Sequence, residues 1–586
     1  MKAEHTESEV LVIGSGMGGI RAAIEAQRAG LKTLLIDKSI LARASASIYA
    51  GALVARKPPE YLVKMGVMEP GMDFEQSFDA SFRYFVREGA RTGGSRYTNN
   101  QRLSMTVACE MESRADELRD LGVKDIFSQR WLGPPGVYGR DIMLPLVEHA
   151  KKIGVKTREM TMITDLIRQD GAVIGAVGFD IRKKKFVVFR TKSIVIATGS
   201  HGQIYERTYA PIRMTGDGYA MSYRAGAALS DMEIMGFDNW GIAEPGLPQY
   251  WIPGSSARVN GILRNASGEP FFLRYAQEHG ILGKNATLSM SDNISKRYGR
   301  PFIELVPHLV KASMKEILEG RGDDGAVFLD LTHVPEEKWY VDSKGLFTLN
   351  ILKGFDLKKR QLRIIPICIG DFKGGGVRID EKGRTDIEGL FAAGDVSPGS
   401  SLLYALVTGV LAGRSATNRA LDISIPEFDA GTKEWLGNKK GELNTILKRK
   451  PKKGGEPGEI KAAVKTIMWK SGGPLRDGRG LRDGIENLKE IEQKTVPAIY
   501  ANGSFRKLRE AVEAVNMVQV GGMILPASLY RKESRGYLQR LDYPRQDDKN
   551  WLKNTIIARN KNGMSIHADP VDLVFMRPDT VEKEIG

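Results

Sequence analysis

The chain has 586 residues, too many for one hydrophobic core, and predicts roughly two to four domains. Its 42% hydrophobic and 27% charged residues are those of an ordinary soluble globular protein, and its two cysteines cannot by themselves hold an iron–sulfur cluster or a structural zinc, which take about four ligands. The net charge of +15 speaks to solubility and association rather than fold, and nucleic acid is not expected because no nucleic-acid motif accompanies the charge.

The N-terminus, Met1 to Glu9, enters an apolar run without a signal region, so the cytoplasm is the expected place. Val10-Leu11-Val12-Ile13 ends in Gly14-x-Gly16-x-x-Gly19, an Ala-rich amphipathic run follows, Gly30 closes it, and Leu34-Leu35-Ile36 ends in Asp37 and Lys38. This is the pattern of a dinucleotide fold: Gly14 permits the tight turn, Gly16 admits a pyrophosphate to the backbone, and Gly19 lets helix pack on strand. The pyrophosphate, with Gly18 in the same loop, is expected at the positive end of the helix. Asp37 is placed to accept hydrogen bonds from a ribose diol and argues against a 2′-phosphate.

The small residues from Arg43 to Leu53, Ser45 and Gly51 among them, suit backbone running close to a flat ring system. Residues 75–122 predict two amphipathic helices, the first with Phe78, Phe82, Phe85 and Val86 on one face, the second with Met105, Met111, Ala115 and Leu118. Residues 155–192 predict an antiparallel meander, leading into a separate apolar strand, Ser193 to Ala197, that ends at Thr198-Gly199. Thr215-Gly216-Asp217-Gly218 opens a further helix, with Gly226 as its stop. Residues 235–355 change character and read as an insertion. Thr385 to Asp395 returns to turn, apolar strand and terminal Gly-Asp, and Ser401-Leu402 starts a helix. Leu402 to Gly413, the longest apolar stretch, is too short to span a bilayer. Beyond residue 423 the chain is lysine-rich with helical spacing at Leu481, Ile485, Leu488 and Ile491. Basic runs at Arg182–Lys185 and Lys448–Lys453 suit a solvated face or an acidic protein partner.

Across nearly the whole chain these motifs resemble the flavoprotein subunits of succinate dehydrogenase and fumarate reductase, a family that includes L-aspartate oxidase and the α subunit of adenylylsulfate reductase. The glycine loop, Ala197-Thr198-Gly199, Thr215 to Gly218, Gly389 to Asp395 and Ser401-Leu402-Leu403 fall in the family's order. So do Glu533-Ser534-Arg535-Gly536, Asp542-Tyr543-Pro544 and Asp547-Asp548-x-Asn550-Trp551-Leu552. The resemblance implies an α/β fold: a Rossmann-like FAD-binding domain (1–234 and 356–422) interrupted by a capping domain (235–355), then a helical domain (423–540) and a C-terminal segment (541–586). It implies FAD rather than NAD, with Gly14 to Gly19 on the pyrophosphate, Asp37 on the adenosine ribose, and Asp217 and Asp395 on other parts of the cofactor. The helix starting at Ser401 would aim its N-terminus at the flavin edge that gains negative charge on reduction.

The departures from the family pattern are equally specific. Ser45 stands where many members carry the histidine that bonds FAD covalently, which implies noncovalent FAD. Phe237-Asp238-Asn239-Trp240 replaces Phe-His-Pro-Thr, Pro253-Gly254 replaces a Thr-Glu pair, Val306 falls at the proton-donating arginine, and Ile369 at a third histidine. The loop that carries a substrate-binding arginine is shortened to Val396–Ser400. Dicarboxylate chemistry needs cations and a proton relay, so the expected substrate is a small molecule other than a C4 dicarboxylate. Arg258 is the candidate anion binder and Tyr404 the candidate acid, with Asp238, Trp240, Asp371 and Lys373 as further pocket candidates. Single electrons would pass to a separate iron–sulfur subunit, and any membrane contact would be made through partners. A true fumarate reductase or succinate dehydrogenase, or a relay subunit with no substrate of its own, stay open as alternatives.

Overall fold

The computed structural model describes residues 3–49, 86, 97–123, 139–247, 260–283, 294–298, 302–335, 356–370 and 374–578. The chain opens with β1 (Glu4–Ile13), α1 (Met17–Arg28) and β2 (Thr33–Ile36). Val10, Leu11 and Val12 are wholly buried, because β1 is a central strand covered on both faces, which is why its run is continuously apolar. After α2 (Gln101–Asp120) and α3 (Gly139–Lys152) come β3 (Lys156–Arg158), β4 (Thr161–Gln169), β5 (Ala172–Asp180) and β6 (Lys185–Ile196). The strands lie in the order β3-β2-β1-β6-β5-β4, with β1, β2, β3 and β6 parallel and the β4-β5-β6 meander antiparallel.

The two apolar runs read separately around residues 186–189 and 193–197 belong to one strand. Arg190, Thr191 and Lys192 do not form a turn; they continue the ladder beside β1, where Thr191 Oγ1 donates to the Glu9 carbonyl at 3.1 Å. The first of the two helices predicted over 75–122 lies, apart from Val86, outside the described residues. The second is α2, which buries Leu103, Val107 and Leu118.

From α4 (Asp217–Ala225) and β7 (Leu229–Ser230) the chain enters a separate sheet. Its elements are β8 (Phe237–Ile242), β9 (Ile262–Arg264), α5 (Phe271–Glu278), α6 (Phe302–Leu318), β10 (Val327–Asp330) and β11 (Leu362–Cys368), with antiparallel order β8-β11-β10-β9, so the capping sheet runs past the boundary at 355 expected from sequence because β11 pairs with β8 and β10. β12 (Gly376–Val377) leads back, and β13 (Leu390–Ala392) joins the first sheet parallel to the C-terminal end of β6, beyond the part that pairs with β5. Then α7 (Leu402–Asp422) packs on α1. A Cβ on Gly409 would lie 2.5 Å from the Gly18 carbonyl oxygen, so the two helices touch backbone to backbone only because glycine stands there.

The C-terminal part holds α8 (Ala430–Lys448), α9 (Pro457–Gly472), α10 (Gly478–Glu490) and α11 (Phe505–Tyr530). Leu481 and Leu488 of α10 join Met468 of α9 and Val520 and Ile524 of α11 in the main core. Among the described residues, α11 is the one helix long and apolar enough to cross a membrane, and 72% of its apolar window is buried inside the protein, as befits a core helix. The hairpin β14 (Lys553–Asn560) and β15 (Gly563–Pro570) completes a third sheet with β7 and β12.

Candidate functional site

The glycine loop sits where β1 ends between β2 and β6. Gly14 has φ +105°, and a Cβ on it would meet the Ala197 carbonyl oxygen at 2.2 Å; one on Gly19 would meet the Gly14 oxygen at 1.9 Å. Both positions are closed to any side chain. Gly16 differs: a Cβ there would find only Ser47 Oγ at 3.4 Å and Ser45 Cβ at 3.8 Å, so its face opens into a cradle. The intrahelical ladder of α1 begins with Ile20 N–H donating to the Gly16 carbonyl at 3.0 Å, which leaves the amides of Gly18 and Gly19 ahead of it, at the positive end of the helix. Met17 N–H is taken by Ser47 Oγ at 3.0 Å. Asp37 ends β2 beside this loop, its carboxylate accepting from Ser15 N–H at 3.0 Å, Ser15 Oγ–H at 2.5 Å and Ser39 N–H at 2.7 Å. Ser45, nearly buried, donates its hydroxyl to the Ala42 carbonyl at 2.7 Å. Gly51 lies outside the described residues.

At the end of β6, Thr198 Oγ1 is buried and without a hydrogen-bond partner. Gly218 at the start of α4 fits against it, since a Cβ there would meet Thr198 Oγ1 at 2.1 Å, and Gly199 abuts the Met214 sulfur in the same way. Lys38 Nζ reaches across to Asp217 Oδ2 at 2.5 Å, Thr215 Oγ1 at 2.8 Å and Glu513 Oε1 at 3.1 Å. Burial works against the ammonium, but the Asp217 and Glu513 carboxylates outweigh it and hold the Lys38 pKa above its ordinary value. Asn516 Nδ2 donates to Asp217 Oδ1 at 2.8 Å. Glu513 and Asn516 of α11, Ser15 and Ser47 were not singled out from sequence. The two serines lie within the motifs, while nothing in the helical spacing of α11 marks its polar pair.

The Gly394-Asp395 turn follows β13. The Gly394 amide donates to Thr408 Oγ1 at 3.0 Å, and the Asp395 carbonyl accepts from the Tyr219 hydroxyl. Ser401 caps α7, its hydroxyl accepting from Tyr404 N–H at 3.0 Å, with Leu402 buried behind it. Tyr404 does not fit the part of an acid. Its side chain is 1% exposed and turned under the loop, where its hydroxyl donates to the Pro398 carbonyl and lies 3.2 Å from Ser397 Oγ, and burial pushes its pKa up. A tyrosine so placed anchors the shortened loop. Asp238 is buried in β8, with Oδ1 accepting from Asn239 N–H at 2.8 Å, and Trp240 is wholly buried within the capping sheet's core. Arg258, Asp371 and Lys373 lie outside the described residues. Among the described residues no group of three or more His, Cys, Asp or Glu converges on a metal position.

The open face at Gly16, the unpartnered Thr198 hydroxyl and the free helix end fit an FAD, and a glycine cradle on a parallel sheet facing a second capped helix defines a two-part FAD-binding domain. The family model described as "FAD binding domain" matches residues 9–407, and that described as "Fumarate reductase flavoprotein C-term" matches residues 461–583. The chain belongs to the succinate dehydrogenase and fumarate reductase flavoprotein family and is an FAD-dependent oxidoreductase.

It is 27% identical to a fumarate reductase (CoM/CoB) subunit from Methanothermobacter marburgensis, over 95% of this chain and 98% of that one. It is 26% identical to the 8-methylmenaquinol:fumarate reductase flavoprotein subunit of Wolinella succinogenes, over 97% and 90%. In fold it is similar to a variant of E. coli quinol fumarate reductase FrdA, with a TM-score of 0.81 at 22% identity, covering 98% of each chain. Adenylylsulfate reductase from Archaeoglobus fulgidus gives a TM-score of 0.75 at 20% identity, covering 98% and 97%.

Proposed function

We propose that the protein is a flavoprotein subunit that holds FAD noncovalently, acts on a substrate other than a C4 dicarboxylate, and delivers electrons singly to an iron–sulfur partner. Bound FAD supplies hydride exchange at N5 and one-electron exchange with that partner. The chain's own residues bind and orient it. The Gly16 to Gly19 backbone and the α1 N-terminus take the pyrophosphate, and Asp37, released from Ser15, takes the adenosine ribose. Thr198, Gly199 and the corner of Lys38 and Asp217 line the middle, Asp395 takes the ribityl chain, and the Ser401-capped α7 directs its N-terminus at the flavin edge where negative charge collects. Ser45 offers a hydroxyl engaged with Ala42, not an imidazole, where covalent attachment needs one, which supports noncovalent binding.

One observation carries the substrate reading: three positions where the family resemblance asks for cations or proton carriers hold other groups, all buried. They are Asp238 at 3% exposure, Val306 at 3% and Ile369 at 4%. A dicarboxylate needs cations for both ends, and none of these three residues supplies one. With Tyr404 committed to its loop, Arg258 is the remaining proposed anion binder. The proposal keeps the protein in the cytoplasm, with any membrane contact made through partners. Fumarate reduction is the second reading, favoured by the names of the relatives from M. marburgensis and W. succinogenes.

Anaerobic titration of the oxidised, FAD-loaded protein with succinate tests the proposal. The expected result is an unchanged visible flavin band and, on acid precipitation, flavin recovered in the supernatant. Bleaching by succinate contradicts the substrate reading; flavin retained in the pellet contradicts noncovalent binding.

A further inference from the structure

Where the loop before Thr215 meets α9 and α11, one buried carboxylate is crowded by cations. Glu513, with a wholly buried side chain, accepts from Lys38 Nζ at 3.1 Å and from Lys461 Nζ at 2.5 Å. Arg213 Nη1 lies 3.7 Å and Arg509 Nε 3.8 Å from the same Oε1 that Lys38 occupies. Lys465, on the next turn of α9, donates to Gln203 Oε1 at 2.7 Å. Against these five cations stand Asp217, Glu513 and Glu510, the last 3.8 Å from Arg509 Nη2.

The two arginines are close to acids but hydrogen-bonded to none. Among the described residues neither the Arg213 nor the Arg509 guanidinium makes a hydrogen bond, their approaches to Glu513 being 3.7 and 3.8 Å, and Arg509 Nε is buried without a partner on a side chain 7% exposed. A buried guanidinium with unused donors is costly unless a partner arrives. Arg213 and Lys461, at 24% and 20% exposure, leave the cluster open to solvent on one side. Of the four cations around Glu513, only Lys38 and Lys461 are within hydrogen-bonding distance, one on each oxygen, and the two guanidinium groups stand 3.7 and 3.8 Å off. Two guanidinium forks and an ammonium converging from three segments match an anion with several oxygens in a tetrahedron.

We propose that Arg213, Arg509 and Lys461 form a binding site for a tetrahedral oxyanion of the phosphate class, separate from the dinucleotide cradle. The anion offsets the local excess of positive charge and ties the 206–214 loop to the helical domain. Free phosphate and the phosphate of a monoester present the same chemistry.

The test is calorimetric titration of the FAD-loaded full chain at constant ionic strength set with KCl, with inorganic phosphate in one arm and glycerol 3-phosphate in the other. Loaded FAD keeps the pyrophosphate cradle filled. The expected result is one saturable site per chain, the tighter arm naming the source, weakened tenfold or more by Arg213→Gln and by Arg509→Lys, which keeps the charge and removes the fork. FAD content and the visible spectrum stay unchanged in both variants. If Arg509→Lys does not fold, the solvent-side Arg213→Gln decides. No saturable binding in either arm, or undiminished binding in Arg213→Gln, overturns the proposal. Loss of FAD from Arg213→Gln also overturns it, by assigning these cations to the dinucleotide cradle.

Discussion

Thr198 Oγ1 is buried with no partner, while the Gly218 backbone beside it leaves no room for a further side chain. A hydroxyl in that state costs the protein stability unless the cofactor satisfies it. Thr198→Val should therefore leave the melting temperature of FAD-free protein unchanged or raised, and weaken FAD binding by ~1 kcal/mol, about fivefold, in a fluorescence titration. Gly19→Ala should do the opposite kind of damage. Its Cβ would fall 1.9 Å from the Gly14 oxygen, prying α1 off β1, so a loss of about 1–3 kcal/mol in stability and protein purified with little FAD are expected. These glycines were legible in the sequence because contact with backbone atoms admits no other residue. The orientation of Tyr404 was not legible for a related reason: sequence places a tyrosine near the flavin loop but not which way its ring turns, and packing turns it under Gly399, where a Cβ would meet the ring at 2.5 Å.

At the scale of elements, α7 is positioned by its contact with α1 and started by Ser401, whose hydroxyl takes the Tyr404 amide. Removing that cap with Ser401→Ala should cost ~1 kcal/mol by denaturant unfolding, with FAD still bound, because the flanking Gly394 turn is held separately by Thr408. The βαβ unit, the meander and α7 could be read from apolar period and turn residues. The continuity of β6 could not, because Arg190-Thr191-Lys192 is polar and reads as a break until β1 and Glu9 are seen to pair with it. The small sheet that joins β7 and β12 to the C-terminal hairpin was equally hidden, since two of its strands have two residues each, too few to carry a period.

Across the whole molecule, Lys38 and Glu513 are 475 residues apart and form an ion pair that fastens α11 to the dinucleotide corner. Long-range pairing of this kind leaves no signal at helical spacing. Burial opposes the Glu513 charge, but Lys38 and Lys461 outweigh it and bring the carboxyl from 4.5 down to about 2. A depressed folded-state pKa contributes stability that is complete above pH 4.5 and is lost as pH falls toward 2. Unfolding free energies measured across that window should fall with acid in the native protein, and the fall should shrink by on the order of 3 kcal/mol in Glu513→Gln. An unchanged acid limb would mean that the pair does not fasten the two parts.

The central claim concerns what exchanges hydride with the flavin, and fumarate tests it most directly. FAD-loaded protein is reduced anaerobically with dithionite, fumarate is added, and the return of the visible flavin band is followed in time. If Asp238, Val306 and Ile369 stand where the proposal puts them, in place of the family's cations and proton carriers, no reoxidation beyond that of the buffer control is expected. Rapid, saturable reoxidation by fumarate would contradict it and identify the protein as a fumarate reductase that binds both carboxylates with a different set of residues.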